Sequence, residues 1–249
     1  MKTSFLFRIG LVALVALASF GSLAAQDLSS KIDKLLSEQY PSDGPGCAAI
    51  VVKGDQVIYR KAFGMANLEL DVPMKPEHVF RIGSITKQFT AAAILKLEEE
   101  GKLSVNDEIT KYLPDYPTQG HKITVEHLLT HTSGIKSYTS MAEFGSAMRI
   151  DKKPEEFLAF FKDKPMDFAP GEKWLYNNSG YFLLGVIIEK VSGKPYDAYL
   201  EETFFKPLGM KNTHYGHHAP VVKNRIPGYS KNGEQLVNSD FLSMDLPYA

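Results

Sequence analysis

The chain has 249 residues, with 28 basic and 29 acidic side chains and a formal net charge of -1, so it has no basic surplus with which to hold nucleic acid or another polyanion. Hydrophobic residues make up 44% and charged residues 23%, the balance of an ordinary globular protein of one or two domains. A single cysteine, Cys47, excludes an internal disulfide.

In chain order, Lys2 and Arg8 come first, then an apolar run from Ile9 to Phe20, then small residues at Gly21, Ser22, Ala24 and Ala25. That order predicts a secretory signal peptide over residues 1–25. The run is short for a membrane span, so no stable span is expected after cleavage, and the mature protein is expected in the periplasm or outside the cell. An exported chain without disulfides suits a bacterial periplasm best. Residues 26–249 are expected to form one domain.

Leu28 to Gln39 places Leu28, Ile32, Leu35 and Leu36 on one face, which predicts a short amphipathic helix. Pro41, Asp43, Gly44, Pro45 and Gly46 break it. Cys47–Val52 and Gln56–Phe63 are rich in β-formers and flank Lys53-Gly54-Asp55, a hairpin signal, with Cys47 read as a small core residue. Ser84 to Glu100 predicts a helix ended by Gly101. Ile85, Phe89, Ala91, Ala92, Ala93, Ile94, Leu95 and Leu97 make it apolar over much of its surface, so it is expected inside the protein. Thr124 to Thr130 predicts a helix with Thr124 as N-cap. Pro154–Lys162, Ser179–Val191 and Ala198–Phe205 are further helices, the last stopped by Pro207. The chain is thus expected to divide into an N-terminal helix and strands (26–81), a mainly helical region (82–213), and the start of a return to the sheet (214–249).

Chemistry concentrates at Ser84-Ile85-Thr86-Lys87. A Ser and a Lys three apart share a helix face, and the Lys leans back toward the Ser. Helix-dipole charge and burial both disfavour a protonated amine there, and an easily deprotonated Lys activates the hydroxyl. Gly83, before the Ser, gives a substrate room to approach. Phe80, Ile82, Ile85 and Phe89 surround the pair with apolar residues, which argues against its full exposure. A second Ser-x-x-Lys pair, Ser133 and Lys136, contains Gly134 and follows a helix end, so it is set aside. Tyr176-Asn177-Asn178 stands between the turn Phe168–Glu172 and the helix beginning at Ser179. Tyr176 suits proton relay, and Asn178 suits holding a substrate amide. By spacing alone, a turn with a capping Asn is the simpler reading. His127 and His131 have zinc-ligand spacing, but Leu128 stands where a metalloprotease helix carries its Glu. His214, His217 and His218 form a second cluster. Neither set has a cysteine beside it, and both are read as structural, so no metal is expected.

Together these pieces resemble one family. Phe80–Thr90 is similar to the nucleophile motif of serine β-lactamases and penicillin-binding proteins, and Tyr176–Tyr181 resembles their second motif. Leu103–Asp107, Ile123–Gly134 and Phe168–Gly171 resemble the linking segments, in family order. The branch resembled holds class C β-lactamases, D-alanyl-D-alanine carboxypeptidases, D-amino-acid peptidases and esterases. The resemblance implies an α/β (α+β) fold: an antiparallel sheet flanked by helices, with an all-helical region inserted. It implies a serine hydrolase that forms an acyl-enzyme on Ser84, with Lys87 helping to deprotonate it. Tyr176 then moves protons to the leaving group and to water, Asn178 orients substrate and Lys87, and the Ser84 N–H is one oxyanion donor. No cofactor is implied, and the substrate is a small molecule or peptidoglycan-like peptide: a β-lactam, D-alanyl peptide, ester or amide. The alternative is a weak or inactive protein that kept the cleft for binding.

The family's third motif, Lys or His, a small or polar residue, then Gly on a late strand, has no good match. His214-Tyr215-Gly216 comes too early, and Lys231-Asn232-Gly233 reads as a tight turn. The C-terminal strands are therefore expected to be missing, which would leave the 56–63 strand with an open edge and the oxyanion hole with one donor of two.

Overall fold

The structure, a computed structural model, describes residues 27–244; the signal-peptide reading at 1–25 falls outside them. The chain forms two compact units. One holds the segment up to Phe80 together with Val222–Ser239, the other Arg81–Val221 with the segment from Asp240. The second stretch of the first unit begins later than the expected boundary at 214.

In the first unit, a helix α1 (27–39) precedes β1 (Cys47–Lys53) and β2 (Gln56–Phe63), which pair antiparallel around the predicted turn. Gly54 at φ +57 turns the chain there, a conformation glycine adopts without a Cβ penalty. Tyr59 and Lys61 reach back from β2 and donate to the two oxygens of Asp33 on α1, at 2.7 and 2.6 Å. Ile32 and Leu36 of α1 are half-buried, whereas Leu28 and Leu35 are exposed. β3 (Met65–Asn67) pairs with β4 (Val72–Pro73), and β5 (Tyr229–Asn232) with β6 (Gln235–Asn238) across a turn with Gly233 at φ +63. Lys231-Asn232-Gly233 thus lies at a turn. The late segment is tied in by Val79, whose N–H donates to Asn224 O at 2.9 Å and whose carbonyl accepts from Ile226 at 3.1 Å. The Tyr229 hydroxyl adds a bridge, accepting from Leu68 N at 2.8 Å and donating to Glu69.

The antiparallel pairing expected is present, and among the described residues it takes the form of three two-stranded ladders. Ile50, Val52, Val57 and Ile58 of the first ladder remain exposed, because no described strand continues it.

The second unit is helical: α2 (Thr86–Glu99) after a 3-10 turn at Gly83–Ile85, α3 (Val125–Leu129), α4 (Phe144–Ala147), α5 (Pro154–Phe161), α6 (Asn178–Ser192) and α7 (Tyr196–Leu200). Thr124 caps α3 as expected: its hydroxyl accepts from His127 N at 3.2 Å, and His127 Nδ1 accepts from Thr124 N at 3.2 Å. Asn177 caps α6 by accepting from Gly180 N at 2.7 Å, and Gly193 at φ +70 ends it. The helix predicted from Ala198 begins at Tyr196 and passes into a π-helical turn at Glu201–Phe205.

The helix sealed on nearly all sides is α6, not α2. Ser179 to Gly185, Ile187 and Ile188 are all buried, because α2, α3, α7 and the 3-10 turn Tyr138–Ser140 pack around it. α2 buries only Thr90, Ala93, Ile94 and Leu97 and leaves Leu95 53% exposed. An aromatic cluster locks the core beside α6: the Phe182 ring lies 5.2 Å from Phe157 and 5.6 Å from Phe161, and Tyr138 lies 4.7 Å from Phe157.

Candidate active site

Ser84 sits in the 3-10 turn that leads into α2, one residue after Gly83 at φ +50. A Cβ on Gly83 would meet nothing within 4 Å, so the glycine answers to backbone conformation rather than to close packing. One turn further on, Lys87 directs its ammonium to Asn178 Oδ1 at 2.6 Å and stands 3.4 Å from Ser84 Oγ. The Tyr176 hydroxyl donates to Ser84 Oγ at 2.7 Å. The four residues singled out from the sequence, Ser84, Lys87, Tyr176 and Asn178, therefore form one hydrogen-bonded group.

Each comes from an element with its own support. Lys87 rides on α2, whose Thr90 hydroxyl bonds Tyr196 OH at 2.6 Å. Asn178 opens α6, its N–H donating to Ser137 Oγ at 3.2 Å and its side-chain amide to Thr139 Oγ1 at 2.9 Å. With Asn178 Oδ1 aimed at Lys87 and its NH2 held by Thr139, the amide orientation is fixed. The neighbouring Asn177 is the capping asparagine; it is 3% exposed and also donates to Ile135 O. Of the adjacent asparagines, Asn177 caps α6 and Asn178 bonds Lys87.

Two aromatic faces enclose the ammonium. Lys87 Nζ lies 5.0 Å from the Tyr176 ring centre and 5.4 Å from that of Tyr181, within cation–π range. Among the described residues Lys87 has no carboxylate partner. Burial pushes the Tyr176 phenol up, but the bonds to Lys87 and Ser84 and the Lys87 charge outweigh it, and the net direction is down. Burial first, then the Lys87 charge, hold His131 below the usual histidine range.

The expectation that the pair is not fully exposed holds for Lys87, which is half-buried, and not for Ser84. Ser84 is exposed, Ile82 and Ile85 are 42% and 56% exposed, and Phe80 is exposed within its own unit. Phe89 instead turns into the core, edge-on to Phe205 at 5.3 Å. Two isoleucines that flank a 3-10 turn have no continuous helix face to carry them inward. Ser133 is buried, and its Oγ accepts from Ile135 N at 3.4 Å, while Lys136 pairs with Asp167 at 2.7 Å; these two residues serve different partners. His127 is engaged in the α3 cap, and His131 Nδ1 accepts from Asn177 N at 3.1 Å, so each imidazole has a structural bond. His217 faces Asp197 at 3.8 Å, and His218 accepts from Met244 N at 2.8 Å.

Sequence reasoning passed over Tyr181, Ser137 and Thr139. Tyr181 had a local signal, lying three residues after Asn178 on the same helix face. The two hydroxyls come from a loop about forty residues upstream and carried none.

The Beta-lactamase family model matches residues 32–245. The chain belongs to the β-lactamase family. Family members similar to it include Protein flp of Staphylococcus aureus (strain N315), 32% identical over 230 residues, which are 90% of this chain and 46% of that protein. The octameric penicillin-binding protein homologue from Pyrococcus abyssi is 37% identical with a TM-score of 0.73, covering 90% of this chain and 52% of the other. The D-amino acid amidase from Ochrobactrum anthropi SV3, complexed with L-phenylalanine amide, is 29% identical with a TM-score of 0.73, covering 90% and 63%. The chain thus spans between about half and under two thirds of the length of these relatives. They share its mixed α/β fold, with small antiparallel sheets flanked by helices, and the family is one of serine hydrolases.

Proposed function

We propose that the protein hydrolyses an ester or amide through an acyl-enzyme on Ser84. The observation that carries this reading is the 2.7 Å bond between Tyr176 OH and Ser84 Oγ, with the Lys87 ammonium over the same phenol ring. Nucleophile and base are within direct proton-transfer distance, and the cation that lowers the phenol stands 3.4 Å from the nucleophile.

In the first half-reaction Tyr176 acts as a proton relay: Oγ of Ser84 bonds to the substrate carbonyl carbon as its proton passes to the Tyr176 oxygen, and the phenol's own proton moves on to the leaving amine or alkoxide as that bond breaks, with Lys87 stabilising the phenol oxygen. In the second half, water gives a proton to the Tyr176 oxygen as its hydroxide attacks the ester carbonyl, and the phenol's own proton passes to Ser84 Oγ as it leaves. The Ser84 backbone N–H, at the start of α2, supplies an oxyanion donor, and Asn178 holds Lys87 and a substrate amide. D-Aminoacyl amides and peptides are the favoured substrates within this class. The support is the likeness to a D-amino acid amidase and to a penicillin-binding protein homologue, together with an Asn amide beside the nucleophile. Export to the periplasm belongs to the same proposal and rests on the charge and apolar pattern of residues 1–25.

The test is mass spectrometry of the intact protein after incubation with benzylpenicillin, a p-nitrophenyl ester or D-phenylalanine amide. A mass increase on Ser84 with the first two, turnover of the ester or amide, and loss of both in Ser84→Ala are expected. A folded protein with no adduct from any probe would favour a binding protein instead.

A further inference from the structure

We infer that His131 is the positioning residue of the site, and that it sets Tyr176 against Ser84 only while its Nδ1 is unprotonated. The inference rests on the serine-hydrolase reading above and adds a control that reading does not contain.

The geometry is a clamp around a single residue. The His131 carbonyl accepts from Leu175 N at 3.0 Å, and its Nδ1 accepts from Asn177 N at 3.1 Å. The residue between those two amides is Tyr176. The His131 ring also lies 4.7 Å from the Tyr176 ring and 5.0 Å from the Tyr181 ring. These are the two rings that face the Lys87 ammonium, so one imidazole backs both walls of the lysine cradle. His131 reaches this place with φ +60, a left-handed conformation that few side chains adopt and that asparagine and histidine tolerate best.

Nδ1 can accept the Asn177 N–H only through its lone pair. A proton there sets two donors against each other, and the segment carrying Tyr176 loses one of its two bonds to His131. The titratable groups facing the ring are the Lys87 ammonium on α2, the Tyr181 phenol on α6 and the Tyr176 phenol on the clamped loop; Trp174, edge-on at 6.1 Å, does not titrate. None supplies a negative charge to stabilise an imidazolium, and the lowered pKa of His131 agrees with that setting. His131 touches no reacting atom, so its effect passes through Tyr176.

Two substitutions separate the clamp from simple packing. In His131→Ala the acceptor is lost at every pH. In His131→Asn, Oδ1 takes over the place of Nδ1, the left-handed backbone is retained and nothing titrates. With p-nitrophenyl butyrate at pH 8, His131→Ala is expected to lower kcat/KM by about 100-fold, the scale of a misplaced catalytic group, and His131→Asn to recover most of that loss. Because His131 is held below the ordinary histidine range, the wild-type rate should fall only as pH drops beneath that range, whereas the His131→Asn rate should fall less, so that their ratio shifts by about threefold or more between pH 8 and about pH 5. Thermal melting of each variant verifies that it is folded. If wild type forms the Ser84 adduct and turns over the ester, but the wild-type and His131→Asn pH profiles superimpose, the inference is overturned while the hydrolase reading stands. It is equally overturned if folded His131→Ala matches wild type. Absence of any wild-type adduct at pH 8 overturns both.

Discussion

The two units hold their shape in different ways. In the unit of strand ladders the fully buried hydrophobic residues are few, Tyr59, Ala66 and Met74 among the described residues, and the first ladder leaves Ile50, Val52, Val57 and Ile58 exposed. Its fixed points are polar, such as the Asp33 carboxylate under Tyr59 and Lys61, and Glu69 under Tyr229 and Asn238. In the helical unit a continuous apolar core surrounds α6, and Ser84, Lys87, Tyr176 and Asn178 all belong to that unit. The roles proposed for them need placement to a fraction of an ångström. Side chains anchored to a close-packed core meet that demand better than those on a thin ladder.

The largest effects should come from that core. Phe182→Ala removes a ring that is 1% exposed and packed against Phe157 and Phe161, and is expected to lower unfolding stability by about 3–5 kcal/mol. Val57→Ala, at 56% exposure on the first ladder, should stay within about 0.5 kcal/mol. Denaturant midpoints measure both, and equal losses would erase the distinction between the units. Glycines give the next comparison. Gly134, at φ +71, would place a Cβ 1.9 Å from Phe168 O, while Gly54, at φ +57, has open space. Gly54→Ala should cost about 1–2 kcal/mol for the left-handed backbone alone, and Gly134→Ala about 3 kcal/mol or more, since backbone must also move.

Within the helical unit the paired asparagines sharpen the point. Asn177→Ala orphans Gly180 N and Ile135 O in a buried place and should cost about 2 kcal/mol. Asn178→Ala, at a half-buried position, should leave the melting temperature close to wild type while reducing Ser84 acylation. If Asn178→Ala melts as early as Asn177→Ala, the division of labour between them is wrong.

Much of this was legible in the sequence. Local signals marked β1 and β2 through the Lys53-Gly54-Asp55 turn, α5 through Pro154, the end of α2 through Gly101, and the α3 cap through Thr124. Ser84, Lys87, Tyr176 and Asn178 stand out through their likeness to two motifs of the family, since by spacing alone a capping Asn in a turn is the simpler reading of the second; the structure joins the four by hydrogen bonds. What could not be read is tertiary. α2 and α6 are both rich in apolar residues, and which one is enclosed depends on α3, α7 and the Tyr138–Ser140 turn gathering on α6. Thr139, Ser137 and His131 enter the site through bonds that span 39 to 46 positions, and no local pattern encodes such separations. Ladder pairing beyond a hairpin is non-local in the same sense, which is why the separation of the strands into three ladders had no local signal.

The smallest effect concerns acid. Asp107, in the helical unit, accepts from Lys111 Nζ at 2.8 Å, from the Tyr112 hydroxyl and from Ser104 N at 2.8 Å; these bonds, Lys111 first, hold its carboxyl down at about 2. Asp33, in the ladder unit, is also held below the usual range, by Lys61 first and then Tyr59. A carboxylate whose folded pKa is depressed adds stability that is complete above its unfolded value near about 3.9 and disappears as pH falls through the folded one. Wild-type melting temperature should therefore decline between about pH 4 and pH 2. Asp107→Asn should lose about 1 kcal/mol at neutral pH and show a shallower decline over that window, because the group that titrates there is gone. Asp33→Asn should shift the same curve by less, since its carboxylate is 37% exposed against 21% for Asp107 and water screens it more. Melting curves recorded from pH 2 to pH 7 on the three proteins decide it: a larger acid effect from Asp33 than from Asp107 would mean that the polar anchors of the ladder unit carry more of the stability than the anchor beside α3.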